Sequence, residues 1–133
     1  MRVAQVDKRA RKLVGMRQEV APPTLYGPKE AATTYVCWGS TYGPLREAVD
    51  RMNAHESKSA NMLHLKLVWP LRVEVVEEAL AQANRLVAVE VNATAQLATL
   101  IRAHTGREVD DKILRYDGRP LTPEYILKQA GRE

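Results

Sequence analysis

The chain has 133 residues, 45% of them apolar and 27% charged, the proportions of one ordinary globular domain and not of a disordered or membrane-embedded protein. No apolar run approaches the ~20 residues of a membrane-crossing helix and the first twenty residues are too charged for a signal peptide, so a cytoplasmic location is expected. The net charge of +4 lies wholly in residues 1–20, where six basic side chains stand against two acidic ones. Such a localised run without interleaved aromatics reads as a solvated or partner-facing helix rather than a nucleic-acid surface.

Between Val3 and Val20 the residues Val3, Val6, Ala10, Leu13, Val14 and Met16 approximate helical spacing. The segment Ala21 to Pro28 holds three prolines and a glycine, which forbid continued helix and read as a linker. Residues 1–28 are therefore expected to be a basic helix and proline-rich linker, and residues 29–133 an α/β domain. In that domain Thr33–Trp38, β-branched and aromatic, is the first predicted strand. Leu45, Ala48, Val49 and Met52 give the following segment, Pro44 to Asn53, one apolar face. The second strand is predicted over Asn61–Trp69, stopped by Pro70, and its return helix over Arg72–Ala83.

Arg85–Val91 is a continuous apolar run of the kind that parallel strands, covered on both faces, display. A helix over Thr94–Thr105 follows, with Gly106 placed for a left-handed C-terminal residue. Lys112–Tyr116 is the fourth predicted strand. Thr122 is the expected N-cap, and Pro123 the first residue, of a last helix running to Ala130. Strands alternating with helices of ten to fifteen residues imply a three-layer α/β/α domain with a mainly parallel sheet. The expected order of the four strands is 2-1-3-4, with room for an extra antiparallel edge strand.

In such a sheet ligands bind beyond the C-terminal ends of the strands, where the winding reverses. That point falls between the first and third predicted strands, where two loops meet. The first, Gly39-Ser40-Thr41-Tyr42-Gly43, is bracketed by glycines and opens a helix. It suits either a phosphate cradle or a tight turn in which Ser40 or Thr41 caps the helix, but it is neither a Gly-x-Gly-x-x-Gly fingerprint nor a P-loop. In the second, Glu90, Asn92 and Gln96 are polar groups after a buried strand, suited to a hydrogen-bonded turn or a ligand contact.

Cys37 is the one cysteine and sits in an apolar run, which favours a buried thiol over a nucleophile. His55, His64 and His104 show no ligand spacing with it or with one another, so no metal site is expected. His64 is read as pointing away from the apolar face of its strand. The paired carboxylates Glu77-Glu78 and Asp110-Asp111 read as solvated surface.

Four stretches occurring in order are more specific: Val36 to Ala48, Leu63 to Leu71, Val89 to Leu97, and Lys112 to Pro120. Together with the lead-in Lys8 to Lys12 and Pro22 to Gly27, they resemble the C-terminal portion of the α subunit of 2-oxoacid:ferredoxin oxidoreductases, the 2-oxoglutarate and pyruvate type. The resemblance implies a transketolase C-terminal-like domain. It further implies a complex that decarboxylates a 2-oxoacid oxidatively to acyl-coenzyme A while reducing ferredoxin, using thiamine diphosphate, Mg²⁺, iron–sulfur clusters and coenzyme A. None of these is expected to be bound by this chain alone, and no catalytic residue is carried over.

The implied partners are the pyrimidine-binding domain, the β subunit and, indirectly, ferredoxin. The implied role is structural, in assembly, for a fragment or separately encoded piece of a longer subunit that is not active in isolation. An autonomous phosphate- or nucleotide-binding module using residues 39–43 is the alternative. Val91 and Ala95 stand where relatives are expected to carry Asn and Gly.

Overall fold

The computed structural model describes residues 1–131. Its elements are α1 (Arg2–Glu19), β1 (Thr24–Tyr26), β2 (Thr33–Trp38), α2 (Tyr42–His55), β3 (Ala60–Leu65), α3 (Val73–Ala81), β4 (Leu86–Glu90), α4 (Gln96–Thr105), β5 (Asp111–Leu114) and α5 (Pro123–Gln129). They form one five-stranded sheet in the order β1-β3-β2-β4-β5. β3, β2, β4 and β5 are parallel, and β1 adds antiparallel to β3. The four parallel strands therefore have the order expected from the sequence, with the antiparallel strand at the edge.

Alternation along each strand sorts side chains into two cores. Tyr35, Cys37, Met62, Val87, Val89 and Ile113 pack with Leu45, Ala48, Val49 and Met52 of α2 and Ile126 of α5. Val36, Leu63, Leu65, Leu86 and Ala88 pack with Val76 and Leu80 of α3 and Leu97, Ala98 and Ile101 of α4. Helices thus cover both faces, which is why β4 carries no polar residue until Glu90. His64, read from the sequence as turned away from the alternating Leu63/Leu65 face, does lie on the opposite side of the sheet from those leucines, towards α2. Its ring meets that of Tyr42 edge-on, with centroids 4.9 Å apart.

Two segments depart from the sequence reading for reasons of pairing. The second predicted strand stops at Leu65, because its neighbour β2 ends at Trp38, the residue paired with Leu65. Beyond that point no backbone partner remains, and residues 66–72 are irregular, with a cis Trp69–Pro70 bond. Conversely, Thr24–Tyr26 of the proline-rich segment pairs with Met62–His64, so residues 1–28 contribute a strand to the sheet. Prolines are tolerated there because an edge strand needs its N–H groups on one side only. Gly27 lets this edge approach: it sits at φ +97°, and a Cβ would lie 3.2 Å from the Ala60 carbonyl oxygen.

The last helix begins as expected. The Thr122 hydroxyl accepts the Tyr125 N–H at 3.2 Å, and Pro123 opens the first turn. Arg51 of α2 pairs with Glu124 of α5 at 2.9 Å, joining the two helices of that layer at the surface.

Candidate functional site

The two loops predicted to meet at the winding reversal emerge from the adjacent strands β2 and β4. They are joined by side chains. Glu90, the last residue of β4, is fully buried. Its Oε2 accepts the Leu97 N–H at 2.9 Å, the Asn92 amide at 2.8 Å and the Trp38 indole N–H at 3.3 Å, while Oε1 accepts the Ala98 N–H at 3.1 Å. The carboxylate therefore ties the end of β2 to the first turn of α4. Helix N-termini present unsatisfied amides and a positive dipole end, so this acid occupies a place chemically suited to it. The Glu90 carbonyl also accepts the Arg115 N–H at 3.0 Å, bringing the exit of β5 to the same point.

Asn92 completes the turn. Its Oδ1 accepts the N–H groups of Thr94 and Gln96, both at 3.2 Å. Of the three polar residues predicted here, Glu90 and Asn92 are thus brought together in a hydrogen-bonded turn, and Gln96 lies exposed at the start of α4. The helix starts at Gln96 rather than Thr94 because Ala95 has φ +52° and ψ +59°. That left-handed conformation explains why glycine is the expected residue at this position. The strain of about 1–2 kcal/mol in an L-residue is offset in an Ala95→Gly variant by the lost buried methyl and the greater freedom of the unfolded chain. Ala95→Gly is expected to be neutral within about 0.5 kcal/mol, whereas Ala98→Gly, inside the same helix, should cost about 1.5 kcal/mol. Urea unfolding of the two variants side by side measures the difference.

The loop Gly39 to Gly43 is a single 3₁₀ turn over Gly39–Thr41 running into α2. Gly39 sits at φ +59°, a conformation that favours glycine. Neither Ser40 nor Thr41 caps the helix: Thr41 is buried, and its hydroxyl donates to the Trp38 carbonyl at 2.6 Å. The Gly39 carbonyl lies 3.2 Å from His64 Nε2. Gly39, Ser40 and Gly43 are exposed and Tyr42 is half-buried. Sequence reasoning missed Trp38 and His64 as supports of this point. The signal for Trp38 was an indole at the end of a strand next to one that ends in an acid, because an indole N–H at the edge of a core seeks an acceptor.

Cys37 is fully buried in the α2-side core. Burial pushes its thiol up to about 11 from the ordinary 9.0, against a smaller opposing effect of the Thr41 hydroxyl. At pH 8 the thiolate should be about 100-fold scarcer than in an ordinary cysteine. Labelling by a disulfide reagent is expected to be slower by at least that factor in the native chain than in urea. The unfolded chain gives up this proton first, so the thiol's contribution to stability is complete below about pH 9 and is lost towards pH 11. Among the described residues no group of three or more His, Cys, Asp or Glu side chains could hold a metal ion. A cavity of about 710 Å³ lies between α2 and α5, lined by Arg51, Met52, His55, Glu124 and Leu127, and does not touch the switch-point loops.

This sheet order, with helices on both faces and the β2–β4 reversal, defines a three-layer α/β/α domain of the transketolase C-terminal kind. The fold is shared with a split-gene transketolase, an inactive β4 tetramer, at TM-score 0.53 and 18% identity over 81% of this chain and 37% of that one. The family model of pyruvate:ferredoxin oxidoreductase core domain II matches residues 31–126, and the chain belongs to this family.

The subunit alpha of 2-oxoacid:ferredoxin oxidoreductase 2 from Aeropyrum pernix is 34% identical, over 98% of this chain and 20% of that protein. The 2-oxoglutarate:ferredoxin oxidoreductase from Magnetococcus marinus, solved with 2-oxoglutarate, coenzyme A and succinyl-CoA bound, superimposes with TM-score 0.83 and 29% identity. It covers 98% of this chain and 23% of that one. The alpha chain of a probable 2-oxoacid ferredoxin oxidoreductase from Thermoplasma acidophilum is 42% identical with TM-score 0.56, over 83% of this chain and 94% of that one. The chain spans about a fifth of the length of the curated relative.

Proposed function

We propose that this chain is a non-catalytic assembly domain of a thiamine-diphosphate-dependent 2-oxoacid:ferredoxin oxidoreductase, working in the cytoplasm. The observation that carries this reading is Glu90. The buried carboxylate at the point where such folds bind ligands is engaged by four donors of its own chain. A carboxylate so engaged and fully buried holds two loops in place and is closed off from a substrate. The exposed Gly39, Ser40, Gly43 and Gln96 then form a rigid edge suited to contact with the pyrimidine-binding domain or the β subunit.

The iron–sulfur cluster and the thiamine diphosphate with Mg²⁺ of the whole complex do not fit the residues of this chain. An iron–sulfur cluster takes several thiolates, and the sequence has one cysteine, held buried and protonated. Thiamine diphosphate with Mg²⁺ needs free carboxylate and amide ligands, and the buried acid at the switch point already has its partners. The oxidative decarboxylation of a 2-oxoacid to acyl-coenzyme A, with electrons passed to ferredoxin, is accordingly assigned to companion domains.

The test is reconstitution. The chain mixed with the companion α segment and β subunit should restore 2-oxoacid-dependent reduction of an electron acceptor, and alone should have no such activity. Failure to bind the companions or to raise their activity removes the assembly role. Saturable coenzyme A binding by the isolated chain, abolished by Gly43→Val, would instead make residues 39–43 a ligand site.

A further inference from the structure

Resting on the assembly reading, we infer that α1 is the docking element of this chain and lies in an apolar groove, rimmed by acidic side chains, on a companion domain of the oxidoreductase. No residue of this 18-residue helix is buried. It meets the rest of the chain near its C-terminal end, where Arg17 pairs with Glu74 at 2.6 Å and Arg72 donates to the Val20 carbonyl at 3.2 Å. A helix of this length with no packed face has little to hold it in water, so its stability must come from a contact outside the described residues.

The surface of the helix specifies the occupant. Taken at 100° per residue, Val3, Val6, Ala10, Leu13 and Val14 fall within an arc of about 100°, the i, i+3, i+7 pattern of a helix laid into a groove. Val3 and Val6 are 73% and 61% exposed. Lys8, Arg9, Arg11 and Lys12 lie off this stripe, and Arg17 falls within its arc at the C-terminal end, where it pairs with Glu74.

Charge decides between partners. Residues 1–20 carry all of the net +4 of the chain, so a second copy of the helix would be repelled, whereas a groove with acidic rims gains steering and register from the same charges. Nucleic acid accounts for the charge and leaves the apolar stripe unused. In the Magnetococcus marinus enzyme the matched region takes in 98% of this chain, α1 included, and is 23% of that chain. The helix is therefore accommodated there within a much longer polypeptide.

The test uses the full chain and, as probe, the β subunit and companion α segment expressed together. Titration should give saturable binding, weakened at least about thirtyfold in a Val6→Asp/Leu13→Asp variant and weakened by added salt in the unmodified chain. Both positions are exposed, so the variant should keep the thermal unfolding of the sheet domain. Equal binding by variant and unmodified chain overturns the docking role of α1 while leaving the assembly reading intact. No binding by either overturns the assembly reading itself. Binding to duplex DNA that the variant retains, with none to the companions, overturns both.

Discussion

Replacing Glu90 with Ala is expected to destabilise the domain by about 3–4 kcal/mol, lowering the thermal midpoint by roughly 10–15 °C for a chain of this size. The substitution does more than remove hydrogen bonds. It leaves the buried Leu97 and Ala98 N–H groups, and the half-buried Trp38 indole N–H, without their acceptor. A buried unsatisfied donor costs about 1–3 kcal/mol, and losing a helix cap about 1 kcal/mol. These contributions overlap, so their simple total is not expected. Glu90→Gln keeps one oxygen acceptor but turns an NH₂ towards donors, and should cost roughly 2 kcal/mol. Against a total stability of about 5–15 kcal/mol, the Ala variant should be partly unfolded at moderate urea. A loss under 1 kcal/mol for Glu90→Ala would mean that the switch point is not held as described, and the assembly reading would lose its main support.

Leu45→Ala should cost about 3 kcal/mol, within the 2–5 kcal/mol seen for such truncations in rigid cores. Leu45 is fully buried and lies in the first turns of α2, in the cluster with Tyr35, Cys37 and Val89. The cost has two parts, the lost transfer of the side chain from water and the cavity left where β-strand side chains cannot follow. Ser40→Ala, five residues earlier and exposed, should change stability by less than about 0.5 kcal/mol. Chemical denaturation of the pair separates the packing role of α2 from the loop that precedes it. A Leu45→Ala cost close to that of Ser40→Ala would show that α2 is not seated on the sheet.

Much of the fold was legible because it rests on local periodicity. Thr33–Trp38 begins and ends as read from its β-branched and aromatic residues, and Thr122 and Pro123 start α5 as their chemistry requires. The parallel strand order followed from the short crossover helices. What was misread depended on partners. The alternation through Leu67 continues past Leu65, yet the strand does not, because its neighbour has ended. Thr24–Tyr26 is flanked by prolines and carries no strand signal, yet it pairs with β3 because β3 has a free edge.

The two candidate loops leave the adjacent strands β2 and β4, and their internal chemistry was only partly visible in the sequence. Thr41 was offered as a cap and instead donates back to Trp38. Glu90 was seen as a polar residue closing an apolar strand. A buried acid in that position demands donors, and the helix that follows in the sequence was the nearest source.

The sequence by itself determined the alternation of strands and helices and the mainly parallel character of the sheet. These follow from side-chain polarity repeating every two or 3.6 residues, which a single chain segment expresses without reference to any other. Only the tertiary structure decided that Glu90 joins Trp38 to the amides of α4, that His64 packs against Tyr42 and that the proline-rich stretch closes the sheet. Those outcomes depend on which donors and acceptors are brought within about 3 Å of one another, and that is fixed when distant segments pack.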